Sequence, residues 1–250
     1  MSGHSKWSTI KRKKGKTDAA RGKIFTKLIK EITVAARDGG GDPDSNPRLR
    51  TAILSSKAQN MPQDNIKRAI QKGTGEIPGV VYDEITYEGY GPAGVAVFIE
   101  CLTDNKQRTV AIVRHIFSKY GGNLGENGCV GWMFERKGQI LIRAEGLDED
   151  KAMETALEAG AEDMEPHDDM FVITTSISEL ESVRSSLESG GIKIESAEMI
   201  MNPTNTVALD ESQAGKFFKL YEALDESDEV QKVWANFEMS DDVMAKLSAE

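Results

Sequence analysis

The stretch GQILIRAEGLDEDKAMETALEAGAEDMEPHDDMFVITTSISELESVRSSLESGGIKIESAEMI, residues 138–200, decides the fold. Residues 139–144 read as a strand, 148–159 as a helix, 161–165 and 170–175 as two strands, 178–189 as a second helix and 192–200 as a last strand. The strand segments are short and rich in branched apolar residues. The helical segments repeat their apolar residues every three or four positions. This order, βαββαβ, is the ferredoxin-like arrangement. Its first and last strands end close together in space, so the unit can be inserted into another domain.

The flanking sequence reads as that other domain. Residues 84–88 and 94–102 form two strands around Gly89-Tyr-Gly-Pro-Ala93, a turn rich in residues that permit a positive φ or fix φ. Asp104-Asn-Lys106 can cap a helix over 108–119, with Val110, Ile112, Val113, Ile116 and Phe117 facing inward. The glycine-rich run at 121–128 predicts a tight loop, whose clustered N–H groups could also meet a phosphate, and 130–134 a strand. Beyond the insertion, 213–224 reads as helix and 229–237 as strand. Residues 79–137 plus 203–250 therefore make a discontinuous α+β domain, with 138–202 as the inserted ferredoxin-like domain.

Residues 1–78 differ in character. Ile24, Phe25, Leu28, Ile29, Ile32, Ala35 and Ala36 recur at helical spacing until Gly39-Gly-Gly-Asp-Pro43 stops the helix. Asn46-Pro47 opens a second helix to about residue 59, and a third runs from near Pro62 to Gly73. These make an N-terminal three-helix bundle. Before it lies an arm with seven cations up to Gly22 against one acid, Asp18, and too few apolar residues to order itself. The charge is divided along the chain. Residues 1–75 hold 17 Lys and Arg against 6 Asp and Glu, while 76–250 hold 14 against 35, giving the net charge of −10. A basic end on an acidic body points to nucleic-acid contact at that end alone. The candidate phosphate-binding residues are Lys6, Lys11, Arg12, Lys13, Lys14, Lys16, Arg21, Lys23, Lys27, Arg48 and Arg50, with Trp7 available to stack.

Other chemistries find little support. Gly15-Lys-Thr17 ends like a P-loop, but the position five before Gly15 is Ile10. The run at 121–128 is not G-x-G-x-x-G, and His4, His115 and His167 are scattered. The acidic run Glu162-Asp-Met-Glu-Pro-His-Asp-Asp169 could hold a hard divalent ion and support a metal-dependent hydrolase. An exposed hairpin kept soluble by charge is the preferred reading, so no catalytic residue, metal or cofactor is assigned. The helix pair around Asn60-Met-Pro62 lacks a distinctive DNA-recognition signature. Cys101 and Cys129 read as buried thiols of a cytosolic protein. No stretch approaches the roughly 20 apolar residues of a membrane span, and the basic start lacks the apolar core of a secretory signal.

The motifs then point to a family. Gly3-His-Ser-Lys-Trp7, Asp18 with Arg21-Gly-Lys-Ile-Phe25, Lys27-Leu28, Gly39-Gly-Gly-Asp-Pro43, Asn46-Pro-Arg-Leu-Arg50 and Asn60-Met-Pro62 resemble the YebC-type family. So do Tyr87-Glu-Gly-Tyr-Gly-Pro92, Thr103-Asp-Asn105, Arg108-Thr109 and Gly121-Gly-Asn-Leu-Gly125. The resemblance implies three domains and a non-enzymatic regulator of gene expression in the bacterial cytoplasm. It carries the label of a DNA-binding transcriptional regulator, and relatives that include a translational activator and ribosome-associated factors easing proline-rich elongation. A flexible lysine-rich arm suits folded RNA better than base reading. The expected partner is therefore ribosomal RNA, with ribosomal proteins beside it and double-stranded DNA as the alternative. The chain is expected to act as a monomer, without a membrane or a small-molecule substrate.

Overall fold

The computed structural model describes residues 18–167 and 169–249. They form two compact units, one of residues 134–204 and one built from the sequence on both sides of it.

The larger unit begins with three helices, α1 (Asp18–Gly39), α2 (Pro47–Ala58) and α3 (Gln63–Gly73). Helix α1 already begins at Asp18, so the last residues of the expected arm, Arg21 and Gly22, are helical. Ile32, Ala35, Ala36, Leu49, Ala52, Met61, Ile66 and Ala69 close the core between the helices. Burying each large apolar side chain here contributes roughly 1.5–3 kcal/mol. Asn46 sets the entry to α2. Its Oδ1 accepts the Leu49 N–H at 3.0 Å, while its Nδ2 donates to the carbonyls of Ala35 and Gly40. One side chain thus caps one helix and ties down the end of another. Gly73 lets α3 meet α1, because a Cβ there would lie 2.3 Å from the Thr33 carbonyl oxygen.

The same unit contains a four-stranded sheet in the order β3-β1-β2-β9, with β1 (Asp83–Tyr90), β2 (Ala96–Thr103), β3 (Asn123–Leu124) and β9 (Val230–Ala235). Tyr87, Val97, Ile99 and Cys101 pack with Val113 and Phe117 of α4 (Lys106–Lys119). Phe217, Phe218, Leu220 and Tyr221 of α7 (Glu211–Asp225) complete that core. Asn105 caps α4 by accepting the Arg108 N–H at 3.0 Å. Two residue pairs, β8 (Val207–Ala208) and β10 (Phe237–Glu238), run parallel beside it, and α8 (Asp241–Ala249) follows.

Two expectations change here. The turn after β1 takes its positive φ at Ala93 and Gly94, not at Gly89 or Gly91. Gly89 serves close approach instead, since a Cβ there would sit 2.5 Å from the Asn123 carbonyl oxygen. Residues 130–134 are not a separate strand. Gly131–Met133 forms a single 3-10 turn, and the next strand starts at Phe134.

The smaller unit runs β4 (Phe134–Arg143), α5 (Glu149–Glu158), β5 (Ala161–His167), β6 (Met170–Thr175), α6 (Leu180–Ser189) and β7 (Ile194–Pro203). The sheet order β5-β6-β4-β7, antiparallel throughout, is ferredoxin-like. Ile140, Ile142, Phe171 and Ile173 pack against Ala152, Ala156, Val183 and Leu187 of the two helices. Leu141, Met170 and Val172, which alternate with them, are buried too.

Candidate nucleic-acid interface

The cations of the helical bundle fall into two groups. The first group is held by the protein itself. Arg48 Nε donates to Glu31 Oε1 at 2.8 Å, and its Nη1 to Glu84 Oε1 at 2.7 Å, so one guanidinium links α2, α1 and β1. Desolvation works against its charge, but the hydrogen bonds it donates to Glu31 and Glu84 outweigh it and its pKa is raised. Arg50 donates to the carbonyls of Pro43 and Asp44 and pins the loop before α2. Lys27 Nζ lies 2.6 Å from the Asp225 carbonyl, and Lys30 Nζ lies 2.6 Å from that of Asp228 and 3.1 Å from that of Leu102. Gln231 donates back to the Lys27 carbonyl at 2.7 Å. These bonds seat α1 against residues 72 to 204 positions away in sequence.

The second group faces outward. Lys57 on α2 and Lys67, Arg68 and Lys72 on α3 are exposed, and no hydrogen bond or ion pair holds them among the described residues. Arg68 and Lys72 lie one helical turn apart on the same face. Arg21 and Lys23 are exposed on the first turns of α1, with Lys23 3.6 Å from Glu226. Lys6, Trp7, Lys11, Arg12, Lys13, Lys14 and Lys16 lie outside the described residues. The structure therefore separates Arg48, Arg50 and Lys27, which brace the fold, from Lys67, Arg68 and Lys72, which a phosphate can reach. In the sequence both kinds look alike.

The glycine-rich loop resolves differently from expectation. The Glu88 carboxylate, 5% exposed, accepts the N–H groups of Gly128, Val130 and Gly131, each at 2.7 Å. The Glu88 backbone carbonyl accepts that of Gly125 at 2.8 Å. Within the 121–128 run, Gly122 donates to the Phe117 carbonyl, Gly125 to the Glu88 carbonyl and Gly128 to the Glu88 carboxylate, so these donors are turned onto the protein itself and not toward a phosphate. Sequence reasoning missed Glu88. An isolated acid flanked by Tyr87 and Gly89 in a strand that buries its neighbours is the signal that could have found it.

A second polar network lies at the start of α4. Arg108 bridges Asp104 at 2.5 Å and Glu229 at 2.6 Å, while the Thr109 hydroxyl lies 2.8 Å from that of Thr103 and 3.2 Å from Glu229 Oε2. It joins β2, α4 and the approach to β9. In the acidic run, Glu162 pairs with Lys137 at 2.9 Å, Met164 is in the core and His167 is buried. No group of three or more Asp, Glu, His or Cys is arranged to hold a metal ion among the described residues. Among the same residues, no helix is long and apolar enough to cross a membrane.

Comparison with known proteins decides the family. Residues 5–76 match the TACO1/YebC protein N-terminal domain, and residues 82–237 match the TACO1/YebC second and third domain. The chain belongs to the TACO1/YebC family. TACO1/YebC relatives align along its whole length. One from Syntrophus aciditrophicus is 59% identical over 250 residues, covering 100% of both chains. Another, from Desulfotalea psychrophila, is 58% identical over 249 residues, covering 99% of this chain and 100% of its own. Both are described as probable transcriptional regulatory proteins. The crystal structure of a conserved hypothetical protein from Aquifex aeolicus superposes with a TM-score of 0.83 at 51% identity, covering 90% of this chain and 93% of that one. The TACO1/YebC match thus takes in the helical bundle, the Arg48 brace and the Glu88 loop together.

Proposed function

We propose that this chain is a non-enzymatic regulator of gene expression that binds nucleic acid through the phosphate backbone. The contact residues are the arm cations Lys6, Lys11, Arg12, Lys13, Lys14, Lys16, Arg21 and Lys23, continued by Lys57, Lys67, Arg68 and Lys72. The supporting observation is the sorting of cations in the bundle: the partly buried ones have internal acceptors, and those on α3 face solvent with no hydrogen bond or ion pair among the described residues. Lysine dominates the set, which favours positioning on phosphates over reading of bases. The acidic remainder, with 14 Lys and Arg against 35 Asp and Glu, adds no phosphate affinity of its own and orients the basic end toward nucleic acid.

Ribosomal RNA is the target this reading favours, with a role in translation, in the cytoplasm, where proline-rich elongation is slow. Irregular folded RNA offers shape and backbone to a reaching basic segment. The second reading, regulation of transcription on duplex DNA, draws on the description of the relatives as probable transcriptional regulatory proteins.

The test is a salt titration of binding to a ribosomal RNA fragment and to duplex DNA, with the full chain and a variant lacking residues 2–22. Contact with six to eight phosphates gives a log–log slope of about −5 to −7 on a duplex and about −4 to −6 on a single strand. The deletion should flatten both slopes and weaken binding. An affinity and slope untouched by the deletion contradict the proposal.

A further inference from the structure

The loop that Glu88 organises presents two aromatic rings to solvent. Trp132 is 69% exposed and Tyr90 is 36% exposed. Trp132 Nε1 donates to the Cys129 carbonyl at 3.2 Å, and the Tyr90 hydroxyl donates to the same oxygen at 3.2 Å. Both polar handles are thus turned onto one backbone atom. With those polar atoms turned inward, the exposed remainder of each ring is mainly carbon surface.

The mount is rigid. Three N–H groups from Gly128, Val130 and Gly131 grip the buried Glu88 carboxylate, directly beside Cys129 and Trp132. Tyr90 ends β1, whose register with β3 pairs it with Asn123. Gly125 lets the loop close, since a Cβ there would sit 2.5 Å from the Cys129 sulfur. A large exposed aromatic held this firmly loses little conformational entropy when a partner stacks on it.

The surroundings choose between partners. A tryptophan that anchors a protein interface normally sits at the centre of a larger apolar patch. Here the other exposed large apolar residues of this unit are elsewhere among the described residues. Val80 and Val81 precede the opposite end of β1, and Leu54 is on α2. At ~3.3 Å per residue, the length of β1 puts about 23 Å between its two ends. An isolated pair of rings on a glycine- and asparagine-bearing loop fits a planar ligand of one ring system.

We infer that Tyr90 and Trp132 form a stacking shelf for an unpaired base of single-stranded nucleic acid. The inference rests on the nucleic-acid reading above and adds to it a non-electrostatic contact, remote from the basic arm in sequence. Base–aromatic stacking tolerates any base and is insensitive to salt, in contrast to phosphate contacts.

The test uses the full chain, a single-stranded oligoadenylate and a blunt duplex. Binding is measured across a salt series for wild type, Trp132→Ala, Trp132→Phe and the variant lacking residues 2–22. Trp132→Ala should weaken single-strand binding roughly 5- to 150-fold, the range of one stacked base. It should leave the salt slope and duplex affinity unchanged, and Trp132→Phe should recover most of the loss. Unchanged thermal melting of Trp132→Ala separates this from unfolding. An oligoadenylate containing 2-aminopurine should lose fluorescence on wild type and regain it on Trp132→Ala. If Trp132→Ala binds the single strand as wild type does while the arm deletion weakens it, the shelf is wrong and the phosphate reading stands. If wild type binds neither nucleic acid, both are wrong.

Discussion

Replacing Glu88 by glutamine tests the central packing argument of the loop. The side chain keeps its size, but one of its two oxygens becomes an NH2 group. Oε2 accepts from Val130 and Gly131, and Oε1 from Gly128, all at 2.7 Å, in a site 5% exposed. Glutamine can satisfy the first two donors with its carbonyl oxygen and must then set its own N–H against the Gly128 N–H. One charge-assisted bond is lost outright, worth about 1.5–3 kcal/mol, and the other two lose their ionic component. The net expectation is a loss of roughly 2–4 kcal/mol, which for a chain of this length lowers Tm by about 4–16 °C. Differential scanning calorimetry gives the shift. Hydrogen exchange should show Gly128, Val130 and Gly131 losing protection first. If Glu88→Gln melts within ~1 °C of wild type and those amides stay protected, the carboxylate does not organise the loop.

Two further outcomes follow from the same kind of reasoning. Arg48→Ala should destabilise the chain by about 1–3 kcal/mol, because Glu31 and Glu84 lose a shared, half-buried donor, whereas Lys67→Ala and Arg68→Ala should stay within about 0.5 kcal/mol and weaken nucleic-acid binding instead; urea titration and binding assays read the two effects apart. Burial, reinforced by the nearby Glu229 charge, raises the Cys101 thiol from 9.0 to about 12. Its folded pKa lies above the unfolded value, so its contribution to stability is complete below about pH 9 and is lost as pH climbs toward 12. Stability of wild type should therefore fall more steeply than that of Cys101→Ala across that window, and alkylation of Cys101 should require unfolding.

The parts of the fold that were legible in the sequence are those fixed by local chemistry. Asn46 before Pro47, and Asn105 before the 106–119 helix, cap the helices they announce, because a side-chain oxygen three residues from an orphan N–H acts within one turn. The βαββαβ order was legible because period-two and period-3.6 patterns differ over whole elements. Features without a period were not. The two-residue strands β3, β8 and β10 are too short to show one. The apolar run at 130–134 looks like a strand, yet the pull of Glu88 on the N–H groups of Val130 and Gly131 turns the chain before Phe134.

For the candidate interface, charge alone located the basic end. It could not sort the cations within it, because Arg48 and Arg68 are both arginines on short helices. Glu31, 17 positions before Arg48, and Glu84, 36 positions after it, decide that Arg48 is a brace. Lys27 and Lys30 likewise meet carbonyls near residue 225 that only the folded chain brings to them. Tyr90 and Trp132 gave no signal in the sequence, since exposure of an aromatic residue depends on what the rest of the fold covers.

The most direct test of the proposed function is crosslinking in cells followed by sequencing of both bound RNA and bound DNA, comparing the full chain with the variant lacking residues 2–22. Discrete ribosomal RNA sites should be enriched, and that enrichment should disappear with the deletion. Discrete promoter peaks without ribosomal RNA enrichment contradict the proposed function.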